Sequence, residues 1–158
     1  MKRGSTTFLK LAVLFIGVII LVLCIFWLPW EARHAAEMNP EYAYLRYPVL
    51  FGLYITAIPF FLALYQSLKL LIYVEKNNAF SKLAVTSLKY IMRCANTITI
   101  LYVVGFFFLV SQNAMHPGIA LVGFTIIFTS LIISLFSAVL QALLKNALDI
   151  KSENDLTI

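Results

Sequence analysis

Charge is what this sequence has least of. Of its 158 residues only 12% are Asp, Glu, Lys or Arg, while 62% are hydrophobic. A soluble domain carries roughly twice that charged share, so a water-facing surface cannot be built from this chain. The shortage is uneven as well: the fifty-one residues between Arg93 and Lys145 hold no charged side chain at all. Apolar residues gathered in blocks of this kind mark membrane spans rather than a greasy core. Cysteine is scarce too, and two of them cannot specify a disulfide framework. Cys24 falls near the end of the first apolar block and Cys94 near the start of the third, which predicts opposite membrane faces and two buried, unpaired thiols. The two histidines, His34 and His116, stand alone in polar connections, without the several close ligands that a metal needs. No glycine-rich phosphate loop occurs, and the serines of the last block have no base near them in sequence. No catalytic residue, metal or cofactor is therefore assigned, and the chain reads as a non-enzyme.

What is present is a set of uncharged runs with polar breaks between them. The first runs over residues 11–30 behind Lys2, Arg3 and Lys10. Its bulky close, Phe26-Trp27-Leu28-Pro29-Trp30, is poor material for a signal-peptide cleavage site, so an uncleaved anchor is expected. A polar connection comes next, Glu31 to Arg46, in which Asn39-Pro40 predicts a helix start, Asn as cap and Pro in the first turn. The second run, residues 47–68, is about 33 Å long as a helix, with a kink expected at Pro59. The connection 69–91 carries a helix break at Asn77-Asn78 and a capping serine, Ser81. The uncharged stretch beyond Arg93 is too long for one crossing of about 20 residues. Its one polar, turn-forming break is Ser111 to Gly118, which divides it into spans 92–110 and 119–144, with a tail over 145–158. The expected fold is thus all-α: a single domain, an integral membrane bundle of four transmembrane helices.

Orientation is set by the cations. Ten Lys and Arg fall in the amino-terminal segment, the 69–93 region and the tail, against two, Arg33 and Arg46, in the other connections. By the positive-inside bias this places both termini in the cytoplasm. Because the cations lie between apolar blocks, the net charge of +5 predicts lipid headgroups rather than nucleic acid as the direct partner. Trp27, Trp30, Tyr42, Tyr44 and Tyr47 would form an outer aromatic belt, with Tyr65, Tyr73 and Tyr90 within.

Two spans carry small or polar residues at steps of three and four. They are Gly52, Thr56, Pro59, Ala63 and Gln66 in the second, and Ser130, Ser134, Ser137 and Gln141 in the fourth. Each set lies on one helical face, and in a bilayer such faces pack helices together. The alternative is a polar cluster of Gln66, Asn96 and Gln141 lining a passage for a small neutral solute. The lack of charge inside any span speaks against a pump or ion-coupled carrier.

Two short stretches carry a family resemblance: Asn77-Asn78-Ala79-Phe80-Ser81 and the terminal Glu153-Asn154-Asp155-Leu156-Thr157-Ile158. With four spans and this length, the chain resembles the bacterial membrane-protein family catalogued as domain of unknown function 2975. Ala79 departs from the family's Pro-Phe-Ser pattern. The resemblance implies a four-helix membrane protein with no established activity. Such proteins are often encoded beside a small helix-turn-helix regulator, which implies a regulatory or scaffold role toward a cytoplasmic transcription regulator. The residues themselves predict a Ser81 cap, a Phe80 hydrophobic staple, and an unstructured acidic tail whose carboxylates pair with the basic 76–93 surface. Asn77, Phe80, Ser81, Glu153, Asn154 and Asp155 are the expected docking residues. A solute permease or channel and a membrane-stress or immunity protein are the alternative functions, and the oligomeric state is left open.

Overall fold

Oil offers no water to the backbone, so a segment crossing it must satisfy its own N–H and C=O groups, and a helix does so. The computed structural model describes residues 3–157, and all of its regular elements are helical. Helix α1 spans Arg3–Val22 and passes through a π-helical turn, Leu23–Trp27, into α2, Leu28–Met38. A 3-10 helix, Pro40–Leu45, leads into α3, Arg46–Glu75. Helices α4, Lys82–Ser111, and α5, Pro117–Thr157, complete the chain. Four helical segments are long and apolar enough to cross a membrane, including α1 with its continuation, α3, α4 and α5.

The backbones approach closely in chain order: α1 against α3, α3 against α4, α4 against α5. Residues 3 and 157 stand on one side of the molecule, the terminal side. Lys10 of α1 meets Glu75 at the end of α3, and the start of α4 shares a groove with the far end of α5. The outward surface is apolar throughout the spans; Phe15, Phe107 and Phe128 are 67%, 65% and 66% exposed. Such a surface suits lipid and would aggregate in water.

The π-helical turn leaves a carbonyl for a neighbouring helix to satisfy. Leu28 donates its backbone N–H to the carbonyl of Leu23, five residues back. In that register the next carbonyl, Cys24, would look to residue 29, a proline with no N–H to give. Tyr54 of α3 supplies the missing donor, its hydroxyl lying 2.7 Å from the Cys24 oxygen. One proline on α1's continuation is thus answered by one tyrosine on α3. Gly17, two turns closer to the terminal side, faces Leu64 of α3, where a Cβ would make an ordinary van der Waals contact with the leucine Cδ1.

Helices α3 and α4 stop in the same way. Asn77 has φ 59° and Asn113 φ 53°, the left-handed conformation that asparagine tolerates better than other side-chain-bearing residues. After α3, Asn77 donates to the Val74 carbonyl and Asn78 to that of Tyr73; after α4, Asn113 donates to Val110 and Ala114 to Leu109. These paired bonds close the last carbonyls of each helix in a Schellman turn. The second turn is held from outside as well. Tyr42 donates its hydroxyl to the Asn113 carbonyl at 2.8 Å and Tyr44 to the Gln112 side chain at 2.9 Å.

Three expectations are corrected. The connection 31–46 is mostly helix, and a 3-10 helix does start at Asn39-Pro40, but the asparagine side chain does not cap it. The Asn39 side-chain amide and backbone N–H both reach back to the Ala35 carbonyl, because a residue before proline is pushed out of the helical region. The tail expected to be unstructured is helical to Thr157, with Ile158 outside the described residues. From Phe124 onward the sequence holds neither glycine nor proline, so nothing stops α5. Finally, Gly52 is no point of close approach, since a Cβ there would meet nothing within 4 Å.

Candidate functional site

The expected docking residues lie at two places on the terminal side. In the α3–α4 turn, the Ser81 hydroxyl accepts the Ala84 N–H at 3.2 Å and donates to the Asn78 carbonyl at 2.7 Å, so it starts α4 and braces the turn. Asn77 holds the left-handed position. Phe80 is 61% exposed, so its ring projects outward and is largely free for a partner. Glu153, Asn154 and Asp155 are all exposed on the last turns of α5.

The structure does not bring these two places together by charge. Among the described residues no carboxylate of the α5 end pairs with a cation of the 76–93 surface. The register of the antiparallel pair explains this. Ser134 meets Asn96 and Gln141 meets Met92, and farther along Lys145 and Asp149 share a groove with Thr86 and Lys82. Asp149 is therefore about level with the first residue of α4. Residues 150–157 run on past it for about 12 Å at 1.5 Å per residue.

The polar stripe of α5 is a seam. Ser130, Ser134, Ser137 and Gln141 are buried. Ser134 donates to the Asn96 side-chain oxygen at 2.6 Å, and the Gln141 amide reaches the Met92 sulfur at 3.6 Å. Gln66 is half-buried on α3, and among the described residues no hydrogen bond joins it to Asn96 or Gln141. The histidines have local roles. His34 stacks on Trp30 with ring centroids 5.3 Å apart, and His116 accepts the Gly118 N–H at the start of α5.

Sequence reasoning missed how the cations are disposed. Glu75 sits at the α1–α3 corner with its side chain one-fifth exposed, accepting a hydrogen bond from Lys10 with Arg3 3.8 Å away. The Lys10 bond, then the nearby charges of Lys10, Arg3 and Lys76, hold its carboxyl below the usual glutamate range despite partial desolvation. One signal was available: Glu75 is the sole acidic residue between Glu41 and Asp149. On α3, Lys69 lies over the Tyr65 ring, 5.2 Å from its centroid. On the other flank, Lys82, Val85 and Thr86 of α4 and Lys145, Leu148 and Asp149 of α5 line a groove of about 320 Å³.

Four membrane-length helices, a lipid-suited surface and an ordered Asn77–Ser81 turn agree with what comparison with known proteins finds. The profile of the family described as a protein of unknown function (DUF2975) matches residues 30–158. The chain belongs to the DUF2975 family. It is also similar to the uncharacterized membrane protein YoaS of Bacillus subtilis (strain 168), with 54% identity over 160 aligned positions covering the whole of both chains. No solved structure matches it. The family resemblance read from Asn77–Ser81 and from the carboxyl-terminal motif is thereby shown. The DUF2975 profile begins at Trp30, past α1 and its π-helical turn, whereas the likeness to YoaS includes them.

Proposed function

We propose that this protein is a non-enzymatic scaffold or regulator of the bacterial inner membrane whose working surface faces the cytoplasm. The cation bias toward the terminal side supports that orientation. The observation that carries the reading is the overhang of α5. Ile150 is 60% exposed and Leu156 83%, on a stretch of helix that has run beyond its packing partner and is fringed by Glu153 and Asp155. A helix end held clear of its own bundle, with apolar side chains exposed among acidic ones, is a ready element for docking on a soluble protein. The family resemblance points to a small helix-turn-helix regulator as that protein, with the exposed Phe80 of the neighbouring turn as a second contact.

The test is co-purification of such a regulator, encoded beside this protein, with the full chain, with a chain lacking residues 153–158, and with Ile150→Glu/Leu156→Glu. The full chain is expected to retain the regulator and both variants to lose it while keeping the same helicity and elution volume. Equal retention by all three would remove the proposal.

A further inference from the structure

The cations at the edge of the spans are not equivalent. Arg3 and Lys10 converge on Glu75 and Lys69 lies over Tyr65. Lys82, Lys89 and Arg93 of α4 and Lys145 of α5 have neither kind of partner among the described residues. All four are exposed. Steps of seven and four place Lys82, Lys89 and Arg93 on a single face of α4, opposite the face that buries Ala84, Leu88, Ile91 and Ala95. That same exposed face continues into Ile100, Val104 and Phe107, which are 63%, 60% and 65% exposed. One helical surface therefore passes from cations to hydrocarbon within a few turns, with the Lys82–Lys145 groove at its charged end.

We infer that this surface is a binding site for an anionic glycerophospholipid, its phosphate held in the groove by Lys82 and Lys145 and its acyl chains running along α4 toward Ile100. Three features favour this occupant. The groove carries two lysines against one carboxylate, Asp149, and Lys89 and Arg93 below it raise the positive balance. Arg93 is the last charge before the uncharged stretch, where a long side chain extends along apolar surface to bring its charge to the headgroups. Basic pockets between membrane helices are one known form of headgroup recognition. The polar lining also fits a hydroxylated headgroup such as that of phosphatidylglycerol. Thr86 already donates its hydroxyl to the Lys82 carbonyl at 2.9 Å, which leaves its oxygen as an acceptor. Asp149 is an acceptor as well. Glycerol hydroxyls can donate to both, so the carboxylate that repels a bare phosphate has a use against this headgroup. The inference does not depend on which compartment the terminal side faces, nor on the protein partner proposed above.

The experiment is native mass spectrometry of the full chain in neutral detergent, titrated separately with phosphatidylglycerol and phosphatidylcholine of identical acyl chains. Wild type is expected to prefer phosphatidylglycerol. Lys82→Gln and Lys145→Gln should each weaken that preference about fivefold, and the double variant about thirtyfold. Lys82→Arg/Lys145→Arg should retain it, and Arg33→Gln, on the opposite side, should leave it unchanged. Comparable helicity and elution volume of the Gln and Arg variants establish that the fold is intact. Three results would overturn the inference: an undiminished preference in the double Gln variant, an equal loss in Arg33→Gln, or competition by inorganic phosphate or glycerol 3-phosphate as effective as by the lipid.

Discussion

The α1–α3 corner and the α4–α5 groove face the same problem, cations at the edge of an apolar slab, and resolve it in opposite ways. At the corner Glu75 takes up both Lys10 and Arg3, and the charges are balanced within the chain. At the groove Lys82 and Lys145 stand near Asp149 without pairing to it, and Lys89 and Arg93 continue the excess. The uncharged polar groups are placed the other way round. The α4–α5 seam buries the Ser134 hydroxyl and the Gln141 amide, which reach Asn96 and Met92 of α4, whereas α1 is held to α3 at the Tyr54–Cys24 bond and at the corner. A membrane protein can thus fix one helix pair by internal polar contacts and leave the charges of the same pair for something else to neutralise.

The contrast between the two helix pairs can be attacked at its strongest point first. Tyr54→Phe leaves the Cys24 carbonyl without a donor inside the span, and a loss of about 1–3 kcal/mol is expected in reversible unfolding in detergent. Pro29→Ala restores a backbone N–H at the position the π-helical register needs, so in that background Tyr54→Phe should cost distinctly less, a coupling of about 1 kcal/mol in a double-mutant cycle. An additive cycle would mean that the proline is not why the tyrosine is there. Next in size is the α4–α5 seam. Asn96→Ala removes the acceptor of the Ser134 hydroxyl and should cost about 0.6 kcal/mol, the average for hydrogen bonds between membrane helices. A larger cost than that of Tyr54→Phe would reverse the ranking of the two seams.

The smallest effect is the sharpest in direction. The carboxyl of Glu75 is held below its ordinary range in the folded protein, first by the Lys10 hydrogen bond. Its contribution is complete above the ordinary glutamate pKa and is lost as pH falls through the depressed folded value. Thermal unfolding from pH 6 down to pH 3 should show wild type losing an advantage that Glu75→Gln never has. Parallel curves for the two proteins would show that the corner is no more than a surface contact. Because the pair is partly open to solvent, the difference should be small and should shrink with added salt.

Much of this was legible from residues alone. Four spanning helices are dictated by uncharged runs longer than a bilayer is thick, and the stop after α3 by Asn77-Asn78 with Ser81 behind it. The polar face of α5 was visible as Ser130, Ser134, Ser137 and Gln141 at helical steps. Two misreadings came from local rules set against wider context. Asn39-Pro40 does begin a helix, but the asparagine side chain bonds back to Ala35 instead of capping forward. Glu153 to Ile158 looked like a loose acidic tail, yet no glycine or proline stands between Phe124 and Thr157 to end the helix.

What the sequence settles by itself is which segments can leave water, because burying a charge in hydrocarbon is costly enough for its absence to be decisive. Only the tertiary structure decides which charges find partners. Lys10 and Glu75 are sixty-five positions apart, and nothing in local pattern tells that lysine from Lys82. The antiparallel register of α4 on α5 sets Lys145 beside Thr86 and carries Glu153 and Asp155 beyond reach of the basic turn. Helix formation depends on near neighbours along the chain, whereas charge pairing depends on distances that packing alone fixes.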